Sequence, residues 1–139
     1  MFATNIQKER FAMNEKEENI IRIVNYNIIS FACDLGYSYL NAGDLKWENR
    51  EGEVWELKSM RDEYLKNCVS FIERGIKELK NNFMDGTIRK KIVRFAREHD
   101  DDKILKGKHL ECTDLILDNV RKSLIEELER KKSELEYYL

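Results

Sequence analysis

The chain predicts a mainly α-helical single domain: four helices, with one small antiparallel β-hairpin (residues about 45–57) between the first helix and the second. Three observations predict it. Proline is absent and charged residues make up 37% of the 139, a composition that suits helices better than sandwiches or barrels. Apolar residues recur at three- and four-residue spacing in several windows, as expected of helices with one buried face. One stretch, LKWENREGEVWEL from Leu45 to Leu57, breaks that period and mirrors itself about Gly52. A chain of this length can bury an ordinary core as one domain. Its expected organisation is an arm over 1–13, a helix–hairpin–helix–helix core over 14–106, and a C-terminal helix within 107–139.

In chain order, Phe2, Ile6 and Phe11 stand at loose spacing in the arm. Asn14 followed by Glu17 marks a helix start. Ile20, Ile21, Val24, Ile28, Phe31, Ala32 and Leu35 then form one stripe ending at Gly36, broadened by Ile23 and Ile29. Residues 37–43, YSYLNAG, are short, aromatic and bounded by glycines. They read as extended, either a third strand beside the hairpin or a loop carrying two tyrosines.

The hairpin defines its own register. With Arg50, Glu51 and Gly52 as a three-residue loop, a type I turn is followed by a residue of positive φ, where glycine is favoured. Asn49 then faces Glu53, Trp47 faces Trp55 and Leu45 faces Leu57, while Lys46 opposes Glu56 on the other face. A two-residue loop would put the two tryptophans on opposite faces. A lone hairpin is marginal in water, so its Leu/Trp face needs a cover, and both tryptophans are expected between the hairpin and the next helix. That helix is expected to start from a capping box of Ser59 with Asp62. It carries Leu65, Cys68, Ile72, Ile76, Leu79 and Phe83 on one face, with stop signals at Asn81-Asn82 and Asp85-Gly86. Gly75 interrupts it, or marks a close helix approach.

Thr87 is placed to cap a third helix running to about His99, with Ile88, Ile92, Phe95, Ala96 and His99 inward. Arg89, Lys90, Lys91, Arg94 and Arg97 then lie outward, followed by Asp100, Asp101 and Asp102. The last helix starts between Gly107 and Thr113. Leu117, Leu124, Leu128, Leu135 and Tyr138 line one side, with Val120 and Ile125 beside it. Its charged final turns suggest a projecting or paired helix, and residues 113–139 are the expected homodimer contact.

Trp47, Gly52, Glu53, Met60, Leu65, Asn67, Cys68 and Arg74 stand in the order W-x4-GE-x6-M-x4-L-x-NC-x5-R. This segment resembles one in small uncharacterised proteins of bacteriophages and prophages, where a tryptophan-bearing hairpin leads into a helix with a Leu-x-Asn signature. The likeness covers roughly a quarter of the chain, the extent of one supersecondary motif. It implies a phage or mobile-element origin and no particular activity.

Composition and motif content exclude several functions. The formal charge of −2 creates no global field toward nucleic acid or acidic lipid. No apolar run resembles a signal peptide or approaches a membrane span, so cytoplasmic residence is expected, in the host cytoplasm if phage-encoded. Three dispersed cysteines are not a disulfide framework. His109 and Cys112 stand three apart, but zinc needs about four ligands in paired spacing, and no metal or cofactor is expected. His99-Asp100 echoes helical metal phosphohydrolases without the upstream histidine they use. A Cys112/His109 nucleophile–base pair lacks an orienting third group, and no phosphate-cradling glycine loop is present. The chain is expected not to be an enzyme.

Two charged surfaces and the aromatics remain. The helix around 87–99 offers basic residues for phosphate contacts, though the acidic triplet beside it and the high charge content favour a solvated face. Asp44, Glu48, Glu51, Glu53 and Glu56 cluster about the hairpin. They could mimic phosphates in a basic groove, or simply keep an edge hairpin unpaired. Trp47, Trp55, Tyr37 and Tyr39 could form a recognition patch, with core packing the preferred role for the tryptophans. The expected function is a non-enzymatic phage or mobile-element protein that binds and inhibits a host protein, such as a defence nuclease of the CRISPR effector kind. Its expected contacts are Arg50, Glu51, Glu53 and Glu56 on the hairpin and Arg89, Lys90, Arg94 and Arg97 on the basic helix. The alternatives are a small nucleic-acid-binding regulator using helix 87–99 and a dimeric structural or assembly factor.

Overall fold

Asn14 and Glu17 begin the first helix by capping each other. The Glu17 backbone N–H donates to Asn14 Oδ1 at 2.8 Å, and the Asn14 backbone N–H donates to Glu17 Oε1 at 3.1 Å, the reciprocal arrangement of a capping box. The computed structural model describes residues 13–82 and 86–139. The expectations for Phe2, Ile6, Phe11, Phe83 and Asp85 lie outside the described residues. Within them the α-helices are α1 (Glu15–Tyr26), α2 (Ile28–Asp34), α3 (Asp62–Asn82), α4 (Gly86–Glu98) and α5 (Asp114–Tyr137). Strands β1 (Lys46–Glu48) and β2 (Val54–Glu56) form a two-stranded antiparallel sheet. The chain divides into two compact units, residues 13–26 with 86–120 and residues 27–82 with 121–139.

In the first unit α1 packs on α4, and Ile20, Val24, Ile92, Phe95, Ala96, Leu105, Ile116, Leu117 and Val120 are buried. The second oxygen of Glu17 accepts a hydrogen bond from the Thr113 hydroxyl at 2.6 Å, and Thr113 Oγ1 accepts one from the Ile116 backbone N–H at 3.3 Å. One carboxylate thus ties the start of α1 to the N-cap of α5, which places the last helix start just beyond Thr113. Thr87 lies inside the first turn of α4 rather than ahead of it, since that helix begins at Gly86. The acidic triplet is not uniformly solvated. Asp100 is buried and accepts the backbone N–H groups of Ile104 and Leu105 at 2.9 and 2.7 Å, closing a turn in which Lys103 has φ +57°.

The single helix expected over 14–36 is two. Between α1 and α2 stands Asn27 at φ −112°, ψ +29°, which makes five helices where four were expected. Asparagine favours local side-chain bonding over a helical backbone, and apolar periodicity reports a face without registering one residue's departure from helical angles.

In the second unit, residues 37–43 are not extended. Ser38–Ala42 form a 3-10 turn that ends at Gly43, φ +86°. Tyr39 is buried by stacking flat on Trp47, with centroids 4.6 Å apart and planes within 2°, instead of by strand pairing. The hairpin has the expected register: Lys46 opposes Glu56, Trp47 opposes Trp55, and Glu48 opposes Val54. The Asn49 N–H donates to the Glu53 carbonyl at 2.9 Å, the Gly52 N–H to the Asn49 carbonyl at 3.0 Å, and Gly52 has φ +84°. The three-residue loop of Arg50, Glu51 and Gly52 follows.

The cover over the hairpin is narrower than expected. Trp47 and Leu57 are buried at 5% and 0% exposure, but Trp55 is 44% exposed and Leu45 49%. Ser59 belongs to a 3-10 turn over Leu57–Ser59, Met60 is extended, and α3 begins only at Asp62. The Ser59–Asp62 capping box is therefore not formed, and the hairpin is covered through Leu57, Met60 and Tyr39 without Trp55. The α3 stripe of Leu65, Cys68, Ile72, Ile76 and Leu79 is buried throughout. Gly75 marks a close approach: a Cβ there would meet Tyr37 Cε1 at 3.2 Å and Leu128 Cδ1 at 3.7 Å. The last turns of α5 do not project, for Leu124, Leu128, Lys131 and Leu135 are all fully buried.

Candidate functional site

A lysine in the apolar stripe of α5 holds the hairpin in place. Lys131 follows Leu128 and precedes Leu135 at helical spacing, so its stem packs where a leucine would and its ammonium reaches inward. Nζ donates to the carbonyls of Gly43 and Lys46 at 2.7 and 2.9 Å and pairs with Glu134 Oε1 at 2.8 Å, using all three of its donors. Glu134 Oε1 also accepts the Leu45 backbone N–H at 2.9 Å, and its other oxygen pairs with Arg130 at 2.8 Å. Arg130 reaches Asp44 at 2.7 Å and Glu127 at 2.9 Å. The strained link before β1, with Gly43 at φ +86° and Leu45 at φ +60°, is thereby bound to α5 through Arg130, Lys131 and Glu134. The sequence placed Arg130, Lys131 and Glu134 in charged final turns expected to project or pair. The detectable signal was a lysine at a position the leucine spacing reserves for the interior.

Against the fixed hairpin lies a groove of about 380 Å³, within the size range of binding clefts. Trp47, Tyr39 and Cys68 line its base, Tyr64 and Phe71 of α3 one side, and Glu48, Asn49 and Arg50 of the hairpin the other. Tyr39 meets Phe71 edge-on at 5.7 Å, and the Arg74 guanidinium lies 5.5 Å from the Phe71 centroid. Among the described residues the buried Tyr39 hydroxyl has no hydrogen-bond partner. Burial, with Tyr37 and Glu78 nearby, raises the phenol well above its usual range. Burial also raises Tyr64; the neighbouring Cys68, Glu51 and Glu53 add to this, while a hydrogen bond with Trp47 acts the other way.

The hairpin residues singled out by sequence are partly engaged. Glu53 accepts from Asn49 Nδ2 at 3.1 Å and Glu56 pairs with Lys58 at 3.7 Å. Of the other local carboxylates, Asp44 is paired with Arg130, and Glu48 accepts from Asn41 Nδ2 at 3.1 Å. Arg50 lines the groove and Glu51 is exposed at the tip.

On α4 the basic face is smaller than its residue list suggested. Arg89 donates to the Cys112 carbonyl at 2.7 Å and pairs with Asp114, and Arg97 donates to the Lys108 carbonyl at 3.0 Å. Both hold the 108–114 segment and are not simply outward. Among the described residues Lys90, Lys91 and Arg94 enter no ion pair, and they are exposed. Lys90, Arg94, Val93 and Leu110 line an open groove of about 460 Å³ beside that segment. Arg89, Lys90, Arg94 and Arg97 belong to one unit, and Arg50, Glu51, Glu53 and Glu56 to the other.

The histidines and cysteines do not converge on one another among the described residues. His99 Nδ1 lies 3.0 Å from the Phe95 carbonyl and its ring stacks on Phe95. His109 pairs with Glu111, whereas the Cys112 thiol faces the Thr113 carbonyl, so the two are not joined. Burial pushes the Cys68 thiol up to about 11 and is also the main cause raising Cys112 to about 11, away from the thiolate form that nucleophilic cysteines need. Among the described residues no three His, Cys, Asp or Glu side chains gather as metal ligands, and no helix is long and apolar enough to cross a membrane. No protein-family model matches the chain, and no curated protein or solved structure matches it.

Proposed function

We propose that this chain is a non-enzymatic binding protein that engages another protein through the hairpin side of its 27–82/121–139 unit. The observation that carries this is a hairpin locked to α5 by Lys131 and Glu134 that nevertheless presents Leu45, Val54 and Trp55 at 44–53% exposure. A fixed backbone with exposed apolar and aromatic side chains limits the ordering penalty of binding, and tryptophan is a frequent interface anchor. The neutral thiols support the non-enzymatic part.

The finer reading is inhibition of a host defence nuclease such as a CRISPR effector. It rests on the phage resemblance of residues 45–74 and on the carboxylates of Glu51 and Glu53. Affinity capture from host lysate with the wild type and with Trp55→Ser tests both levels. One stoichiometric protein retained by the wild type and lost with the variant is expected. A protein partner indifferent to Trp55→Ser overturns the surface assignment.

The regulator alternative would use α4. With Arg89 and Arg97 engaged, retention on heparin should show a salt slope of about three phosphate contacts and not five. A dimer through residues 113–139 would have to use the outward side of α5, around Glu126, Glu129, Ser133 and Tyr137, because its apolar stripe is already covered within the chain.

A further inference from the structure

We propose that the groove beside β1 receives an arginine side chain carried on an extended segment of the partner protein. This deepens the reading above and rests on it for the partner's being a protein. Tyr64 and Phe71 stand seven residues apart on α3 and are 38% and 44% exposed, so their rings are accessible, while Trp47 and Tyr39 close the base. Aromatic faces attract cations, and guanidinium adds planar stacking to that attraction. The structure contains an internal instance in Arg74 over Phe71.

The charge at the mouth selects the same occupant. Glu48 lines the groove, and Glu51 and Glu53 lie close enough to Tyr64 to disfavour its ionisation. Arg50, with Arg74 over Phe71, offsets two of these three carboxylates and leaves one in excess. An incoming guanidinium can stack on a ring and donate to a carboxylate lying in its own plane, which an ammonium cannot do. A free small cation would leave Trp55, cross-strand from Trp47, and Leu45 uncovered; a segment of chain would cover them.

The test is a titration of the full isotope-labelled chain, followed by amide and indole shifts, with the blocked peptide Gly-Ser-Arg-Ser-Gly. A second peptide has citrulline, neutral and similarly shaped, in place of arginine. Shifts confined to Ser38, the Trp47 indole, Tyr64, Asn67 and Phe71 are expected. The citrulline peptide should bind about tenfold more weakly, as loss of one cation–π contact and one charge pair implies. Phe71→Ala and Tyr64→Ala replace exposed rings and should each weaken binding about fivefold at unchanged circular dichroism; if one fails to fold, the other decides. Absent groove shifts, equal binding of the two peptides, or indifference to both ring deletions overturns the inference. A null titration with Trp55-dependent capture intact sinks the groove alone. Arginine-specific binding alongside capture insensitive to Trp55→Ser sinks the assignment of the protein contact instead.

Discussion

Lys131→Met removes one ammonium and little else, because the methionine stem follows nearly the same path through the stripe between Leu128 and Leu135. Three interactions go at once: the bonds to the Gly43 and Lys46 carbonyls and the pair with Glu134. Breaking one side of a buried pair costs about 3–5 kcal/mol. Glu134 keeps the Arg130 guanidinium and the Leu45 N–H, which lowers the figure to the bottom of that range, about 3 kcal/mol. Both tryptophans lie in the same unit as Lys131, so indole fluorescence during urea unfolding reports on the affected part. With a slope of about 1.5–2 kcal/mol per molar, the midpoint should fall by about 1.5–2 M. A midpoint shift corresponding to less than about 0.5 kcal/mol would show that the lysine is held no more firmly than a surface charge and would refute the clamp.

Other consequences follow from the same geometry. Gly52→Ala meets no atom within 4 Å but must adopt φ +84°, so it should cost about 1 kcal/mol, read as a lower urea midpoint. Gly75→Val pushes a branched side chain toward Tyr37 and Leu128 and should cost about 2–3 kcal/mol; an unchanged thermal midpoint would remove the close-approach reading. Burial, with Glu78 adding to it, pushes the Tyr37 phenol up to about 12. The folded chain therefore binds more protons than the unfolded one above the ordinary value near 10. Stability should be intact below about pH 10 and decline as pH rises toward about 12, with Tyr37 and Tyr39 the last phenols to ionise by ultraviolet absorbance. In a thiol-reagent assay at pH 8, Cys68, only 3% exposed, should react only on unfolding; prompt reaction in the native protein would contradict its placement.

The hairpin was legible in the letters because its information is local. Gly52, the mirrored Trp47 and Trp55, and the Lys46/Glu56 opposition specify one register between residues a few positions apart, and the observed ladder has that register. The stripes of α3 and α4 and the Asn14/Glu17 cap were legible for the same reason, since a helix face and its first turn are settled within about four residues. Asn27 escaped because a periodic stripe continues across a single non-helical residue. The 3-10 turn at Ser38–Ala42 escaped because an aromatic run bounded by glycines suits both a strand and a stacked turn. Only packing against Trp47 decided between them.

What tertiary structure alone decided concerns charge and exposure. Arg89, Arg97 and Asp44 read as surface charges, yet each makes bonds to backbone or side chains on another segment. Lys131 became the hairpin's anchor because two carbonyls from residues 88 and 85 positions away converge on it, beside a carboxylate one helical turn on. Trp55 was left outside because α3 starts two residues later than its capping signal suggested. Sequence by itself determined which faces are apolar and where the chain reverses. Whether a given polar atom meets water or a buried partner depends on segments nearly ninety residues apart meeting, and no local pattern encodes that encounter.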